Sequence, residues 1–147
     1  MAIRFLFVTS PDQAAVNHAP RISDTSFERA AVSVCKGYVR VFDTETTLGK
    51  TPSNVEAGDF LDSIAASFDR MVAELRALPV APADEVNVAQ WLAQWQTYDA
   101  YGHRYAAAVR TGSERDLVAR DKTTIDGLLR QRNGFAKANH MSACAFS

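Results

Sequence analysis

The chain has 147 residues, of which 47% are apolar and 22% charged, as expected for one soluble globular domain with a substantial core. It carries 16 Lys and Arg residues against 17 Asp and Glu residues, a net charge of −1. Phosphate-rich nucleic acids and anionic membrane surfaces therefore have little electrostatic attraction to it. No apolar run reaches the roughly 20 residues that are needed to span a bilayer.

Residues 1–24 are predicted to form an extended N-terminal arm, and residues 25–147 a helical domain. Residues 3–8, with the sequence IRFLFV, are too short for a signal-peptide core. They are interpreted as the remnant of a removed anchor or signal, with a segment that docks on the helices as the alternative. Residues 9–24 contain two prolines and no periodic apolar pattern, which favours an extended or disordered segment.

The first predicted helix begins near Thr25, because Thr25 and Glu28 have the spacing of a capping box. The segment YVRVFDTETT, which follows Gly37 and is rich in β-branched residues, is an alternative strand. The helix is favoured because its apolar period continues for about five turns, as far as Gly49. The residues that carry this period are Phe27, Ala31, Val34, Cys35, Tyr38 and Phe42.

The second predicted helix has the clearest amphipathic pattern. Ser53 or Asp59 is its predicted N-cap, and the prolines of the segment PVAP, residues 79–82, end it. Its apolar face is unbroken, with the charged residues largely on the other side. The face consists of Phe60, Leu61, Ile64, Ala65, Phe68, Met71, Val72, Leu75 and Leu78.

The third predicted helix extends from about residue 84 to Thr111 and carries both tryptophans and three of the four tyrosines. Gly112 is typical of the residue that follows a helix. One stripe at helical spacing is predicted to be the central packing seam of the fold. It consists of Val88, Trp91, Trp95, Tyr98, Gly102, Tyr105 and Val109.

The fourth predicted helix extends from about Glu114 to Ala138, with Ser113 as a possible cap. Its acidic residues come early and its basic residues late, which is the order that the helix dipole favours. Four amphipathic helices with short connections predict an all-α fold, an up-down antiparallel four-helix bundle.

Gly102 interrupts the aromatic stripe at a position where a large residue is expected. It either allows a close helix approach or leaves a hollow that could bind a small apolar ligand. Plain core packing is the favoured interpretation, since protein interiors seldom contain large voids. The candidate ligand-binding residues are Trp91, Trp95, Tyr98, Gly102 and Tyr105.

The two cysteines are Cys35, in the first predicted helix, and Cys144, after the fourth. In an up-down bundle, the first half of helix one and the end of helix four lie at the same end. A Cys35–Cys144 disulfide is therefore geometrically reasonable, and two free thiols are the alternative.

This arrangement resembles a group of small exported actinobacterial proteins. They pair an early-helix cysteine with a terminal segment of the type A-x-x-x-G-L-x-D-C, and the segment AKANHMSACAF contains Cys144. His140 and Met141 stand in place of the Gly-Leu pair, and Ala143 in place of the acid. The resemblance implies an extracytoplasmic helical domain, often tethered to the membrane, and implies no reaction.

Two constellations could hold a metal ion. Asp99 and His103 are four residues apart and share a helix face, but the chain lacks the Glu-x-x-His motif of di-iron bundles. They are interpreted as a surface pair. His140, Met141 and Cys144 are soft ligands that suit Cu(I), but a disulfide would remove the thiol. We predict no metal and no cofactor.

Asp121 and Arg132 fall on the apolar stripe of the fourth helix. The favoured interpretation places both at its edges with their charged ends in solvent. The chain has no G-x-S-x-G motif and no Gly-rich phosphate loop, so no catalytic residues are predicted.

The sequence therefore predicts a non-catalytic extracytoplasmic bundle, a binding or interaction module of the cell envelope whose leading partner is another envelope protein. The alternative is a carrier or sensor with a small apolar ligand beside Gly102, and an enzyme or metalloprotein comes third. Nucleic acid is not an expected partner, and membrane attachment is expected only through a missing N-terminal anchor.

Overall fold

The computed structural model describes the backbone of residues 10–44 and 51–146, and their side chains except those of residues 40–44. Within these ranges the fold is all-α, as predicted, and contains no strand. Residues 38–44 of the alternative strand are helical, and the remainder of that segment lies outside the described residues. The elements are α1 (Pro11–His18), α2 (Thr25–Thr44), α3 (Asn54–Arg76), α4 (Glu85–Thr111) and α5 (Glu114–Ala138), with 3-10 turns at Pro82–Asp84 and Ser142–Cys144.

Helix α1 lies in the N-terminal segment that was predicted to be extended, so that prediction is wrong for residues 11–18. The side chain of Ser10 caps the helix by accepting a hydrogen bond from the backbone N–H of Gln13 at 3.2 Å. Pro11 occupies the first turn, where its missing N–H has no helical partner to lose. The proline therefore marks the start of a helix rather than a break. The apolar stretch at residues 3–8 lies outside the described residues.

Helix α1 packs closely on α5 at Gly134. A Cβ atom at position 134 would lie 2.8 Å from the backbone carbonyl of Ala15, so a side chain there would push the two helices apart. Asp12 lies near Arg130 (3.9 Å) and Arg21 donates a hydrogen bond to the carbonyl of Ala138. These contacts advance in the same order along both segments, which means that α1 runs parallel to the end of α5.

Asp24, not the predicted capping box of Thr25 and Glu28, caps α2. One carboxylate oxygen of Asp24 accepts hydrogen bonds from the first turn, including the N–H of Phe27 at 3.0 Å. The other oxygen accepts from the N–H of Ala81 at 2.8 Å. Asp24 thus ties the start of α2 to the turn after α3, and these backbone hydrogen bonds lower its pKa.

Helices α3 and α4 are antiparallel, and their packing positions the candidate site. Arg110, near the end of α4, pairs with Asp59, near the start of α3, at 2.8 Å. Phe68, further along α3, packs on Trp95 with ring centroids 5.4 Å apart. Helix α3 begins at a complete capping box formed by Ser53 and Glu56, so the predicted Ser53 is its N-cap.

Helices α4 and α5 are also antiparallel. Arg104 of α4 lies 3.9 Å from Asp121 of α5, and the indole N–H of Trp91, earlier in α4, donates to the carbonyl of Arg132, later in α5. Gly112 joins the two helices with φ of 70°, the left-handed conformation in which glycine carries no steric cost. The side chain of Ser113 makes no capping hydrogen bond to α5.

The Cys35–Cys144 disulfide is present, and both residues are fully buried. Helix α2 contacts α3 and the C-terminal turn that contains Cys144, whereas α5 contacts α4, α1 and the same turn. The disulfide therefore joins α2 to this C-terminal turn, and the described residues of α2 and α5 do not contact each other directly. Among the described helices, none is long and apolar enough to cross a membrane.

Candidate functional site

A cavity of about 360 Å³ lies beside Gly102, between α3 and α4. Its volume falls within the range of small-molecule pockets, about 300–1,000 Å³. Its walls are aliphatic and aromatic except for one carboxyl group and the tyrosine hydroxyls. The lining residues are Leu61, Ile64, Ala65, Phe68, Tyr98, Asp99, Tyr101, Gly102, Tyr105 and Val118.

The cavity exists because small residues on the two helices face each other between larger ones. A Cβ atom at Gly102 would lie 3.4 Å from the Cβ of Ala65, so the helices meet here with little side-chain volume between them. Phe68, Tyr98 and Tyr105 flank this point and hold the space beside it open. Gly102 therefore lies both at a close helix approach and in the wall of a cavity, which the sequence presented as alternatives.

The five candidate ligand-binding residues are divided between the cavity and the core. Tyr98, Gly102 and Tyr105 line the cavity. Trp91 and Trp95 do not, since both are buried in the core with 1% and 0% of their surfaces exposed. Trp91 packs between Phe27 and Phe135, and Trp95 against Phe68 and Phe146.

Asp99 is the charged residue of the cavity wall, and its side chain is only 3% exposed. Within the described part of the chain, neither of its carboxylate oxygens has a hydrogen-bond partner. Burial raises the pKa of Asp99 from 3.8 to about 7, with a contribution from the negative charge of Asp69, while Arg132 and His103 act in the opposite direction. The prediction that Asp99 belongs to a surface pair with His103 is wrong.

A periodic pattern in the sequence indicates that Asp99 is buried, although the neighbouring aromatic stripe is more conspicuous. Leu92, Trp95, Asp99, Gly102 and Ala106 recur at spacings of three and four residues, which is the period of a buried helix face. All of them except Gly102 are buried. The buried face of α4 thus passes through Asp99, whereas the predicted stripe followed its neighbour Tyr98.

Arg132 is completely buried, so the prediction that its charged end reaches solvent is wrong. Its guanidinium carbon lies 3.6 Å from the ring centroid of Trp95 and 4.5 Å from that of Tyr98. It donates a hydrogen bond to the carbonyl of Phe146 at 2.6 Å. Burial lowers the pKa of Arg132 to about 10, and the charge of Asp99 opposes that change.

Arg132 does not neutralise Asp99 by direct contact. The two side chains form neither a hydrogen bond nor an ion pair within 4.0 Å, and Arg132 is absent from the cavity lining. Its guanidinium instead lies over two aromatic rings and donates to Asn133 and to the carbonyl of Phe146, while its Nη1 has no hydrogen-bond partner among the described residues. Asp121, the other charged residue predicted on the α5 stripe, is partly exposed and pairs with Arg120 at 2.9 Å.

His103 bridges α3 and α4 next to the cavity. Its Nδ1 lies 2.7 Å from a carboxylate oxygen of Asp62, and its Nε2 lies 2.7 Å from one of Asp69. These hydrogen bonds raise the pKa of His103. Both ring nitrogens are engaged by carboxylates, so His103 links α3 to α4 and its nitrogens are not presented to a metal ion.

The soft ligands of the C-terminal segment are not brought together. Cys144 is consumed by the disulfide, Met141 is fully buried, and His140 is exposed. Over the residues that the structure describes, no group of three or more His, Cys, Asp or Glu side chains is arranged to hold a metal ion.

A second cavity of about 500 Å³ lies between α1, α4 and α5. Its lining includes Trp91, one of the five candidate ligand-binding residues, but consists largely of small and polar residues such as Ala14, Ala15, Asn87, Gln90 and Gln94. Its lining residues include no buried ionisable side chain. The cavity at Gly102 is therefore the better candidate, because a buried charge and an apolar wall occur together there.

No protein-family model matches the chain, and no match was found among curated proteins or solved structures.

Proposed function

We propose that the protein is a small-molecule-binding helical bundle whose ligand occupies the cavity between α3 and α4. The observation that carries this proposal is the Asp99 carboxyl group, 3% exposed and without a hydrogen-bond partner in the described part of the chain. An unpaired buried polar group costs free energy. A bound ligand that supplies the missing partner would offset that cost.

The remaining lining supports the same role. Phe68 and three tyrosines surround the cavity, and aliphatic side chains of α3 complete it. An apolar wall with a few polar groups at fixed positions is the usual construction of a small-molecule site, since the wall contributes affinity and the polar groups orientation. The described residues place no acid–base partner within hydrogen-bond distance of Asp99, which favours binding over catalysis.

The surface gives less support to the protein-interaction role that the sequence favoured. Among the described residues, the exposed large apolar side chains are Val55 and Val86, in the first turns of α3 and α4. A docking surface generally presents a contiguous apolar patch. The cavity therefore carries the proposal.

We further propose that the four long helices form an up-down bundle outside the cytoplasm. The antiparallel contacts of α3 with α4 and of α4 with α5 support the arrangement. The Cys35–Cys144 bond supports the location, because disulfides persist mainly in oxidising compartments. Alkylation of the protein recovered from its native compartment should detect no free thiol under denaturing conditions, and two reactive thiols would contradict the location.

Binding of N-phenylnaphthylamine, a neutral apolar dye whose fluorescence rises in an apolar site, tests the function directly. We expect saturable binding with one dye per chain, and loss of binding in Gly102→Leu, which places a side chain in the cavity. Gly37→Leu is the matched control, since a Cβ at Gly37 meets no atom within 4 Å. Failure of the wild-type protein to bind, or equal binding by Gly102→Leu, would contradict the proposal.

A further inference from the structure

We infer that the ligand of this cavity is an organic ammonium ion, a protonated amine whose N–H groups bind the Asp99 carboxylate while its apolar body fills the space between α3 and α4. This inference rests on the proposed binding function and adds the charge and the hydrogen-bonding chemistry of the ligand.

The Asp99 oxygens indicate which polar group a ligand would present to them. An ionised carboxylate is an acceptor only, and both oxygens of Asp99 lack donors among the described residues. A protonated amine can donate hydrogen bonds to the carboxylate and also balances its negative charge. Such charge-assisted hydrogen bonds are stronger than hydrogen bonds between neutral groups. A neutral apolar ligand would leave the carboxylate unpaired, and an anion would be repelled by it.

The charged groups around Asp99 indicate the sign of the ligand's charge. Asp69 of α3 adds a negative charge that acts on Asp99. His103 of α4 is held between Asp62 and Asp69, and Asp62 also pairs with Arg110 at 3.6 Å, so these basic groups already have carboxylate partners. Arg132 of α5 lies against aromatic rings and outside the cavity lining, and its charge acts on Asp99 although its Nη1 has no hydrogen-bond partner among the described residues. Because Asp99 lines the cavity and forms no ion pair with Arg132, a further cation beside Asp99 would lie within the cavity.

The aromatic wall of the cavity is also suited to a cation. Tyr98, Tyr101 and Tyr105 line the cavity together with Phe68, and the rings of Tyr101 and Tyr105 stack with centroids 6.3 Å apart. Aromatic faces attract cations through their quadrupole, and this attraction strengthens when the cation is removed from water. Two of these rings already have guanidinium groups near them, since Arg132 lies 4.5 Å from the centroid of Tyr98 and Arg104 lies 5.7 Å from that of Tyr101. The wall thus attracts the same charge as the carboxylate does, and it also accommodates the carbon skeleton of an amine.

Isothermal titration calorimetry at about pH 8 with three ligands of equal apolar body tests the inference. The ligands are phenylbutylamine, phenylbutanol and phenylbutanoate, and the amine is protonated at this pH because its pKa resembles that of lysine. We expect the amine to bind at least about 10-fold more tightly than the alcohol, and the carboxylate not to bind. Asp99→Asn should weaken amine binding about 10- to 100-fold and change alcohol binding by less than about threefold. Asp116→Asn, an exposed acid on α5 outside the lining, is the matched control and should bind like the wild type.

The wild-type protein supplies a second measurement that does not depend on the folding of any variant. Because the amine binds ionised Asp99, its affinity should fall at least about tenfold between about pH 8 and pH 5.5, while that of the alcohol changes little. Equal affinity for amine and alcohol, or an amine affinity that is independent of pH, would overturn the inference and leave cavity binding intact. If none of the three ligands binds, the proposed function itself fails.

Discussion

Replacement of Asp99 by Asn should stabilise the protein, and the gain should depend on pH. Asparagine has nearly the same shape but cannot ionise, so the variant removes the cost of holding a charge in the apolar cavity. The pKa of Asp99 is raised from 3.8 to about 7. Below pH 3.8 the carboxyl group is neutral in both the folded and the unfolded chain, and it contributes no pH-dependent cost.

As the pH rises from 3.8 to 7, the unfolded chain ionises while the folded protein retains its proton. The folded protein therefore loses stability across this window, and the full loss is present above pH 7. A tenfold change in a protonation constant corresponds to about 1.4 kcal/mol, so the difference between 3.8 and about 7 gives a loss of roughly 4 kcal/mol at most. Adjacent charges contribute to it: Asp69 increases the cost, and Arg132 and His103 reduce it.

Urea unfolding of the wild type and of Asp99→Asn at about pH 4 and pH 8 measures this effect. The stability advantage of the variant should be about 3–4 kcal/mol greater at pH 8 than at pH 4. Subtracting the stability advantage at pH 4 from that at pH 8 cancels any effect of the amide that does not depend on pH. It also cancels the titration of groups that both proteins share. An advantage that does not change with pH would refute the reasoning, since Asp99 would then titrate normally.

Urea unfolding of four further variants tests the helix packing, the His103 ion pairs and the disulfide around the cavity. Gly102→Ala should stabilise the protein by up to about 1 kcal/mol through helix propensity, because its Cβ meets Ala65 at an ordinary 3.4 Å. Gly134→Ala should destabilise the protein by about 1–3 kcal/mol, because its Cβ would lie 2.8 Å from the backbone of Ala15. A more stable Gly134→Ala and a less stable Gly102→Ala would contradict the packing described. His103→Gln should cost more stability at about pH 6 than at pH 9. A histidine whose pKa is raised in the folded protein stabilises it at pH values below the pKa of the unfolded chain, and this stabilisation is lost as the pH rises through the pKa of the folded protein. A cost that is independent of pH would exclude a charged His103 between Asp62 and Asp69. Replacing both cysteines by Ala should lower the free energy of unfolding by about 2–5 kcal/mol, as expected for a bond that closes a long loop, and an unchanged stability would show that the bond constrains nothing.

The sequence predicted the helices that surround the cavity well because their signals are local. The bounds of α5 agree with the predicted Glu114 and Ala138, and α3 starts at one of the two proposed caps, Ser53. Apolar periods and capping side chains are properties of neighbouring residues, so they can be recognised without the tertiary structure. Helix α1 is not predicted because residues 9–24 contain two prolines and no periodic apolar pattern, although proline is well suited to a first turn.

The cavity could be foreseen only in part. Gly102 indicated where a hollow could form, since a missing side chain in an aromatic stripe is visible in the sequence. Asp99 and Arg132 were misassigned because burial of a charge depends on groups that other helices supply. Arg132 needs the rings of Trp95 and Tyr98 from α4 and the carbonyl of Phe146, and no periodicity within α5 shows that they are present.

The most direct test of the account is a ¹³C NMR titration of the Asp99 side-chain carboxyl, without ligand and with saturating phenylbutylamine. Asp99→Asn assigns the resonance by its loss. We expect a pKa of about 7 without ligand, and a lower pKa with the amine because a cation stabilises the ionised carboxylate. A pKa near 3.8 in the free protein, or one that the amine leaves unchanged, would contradict the claim that Asp99 is a buried, unpartnered carboxyl group that binds a cationic ligand.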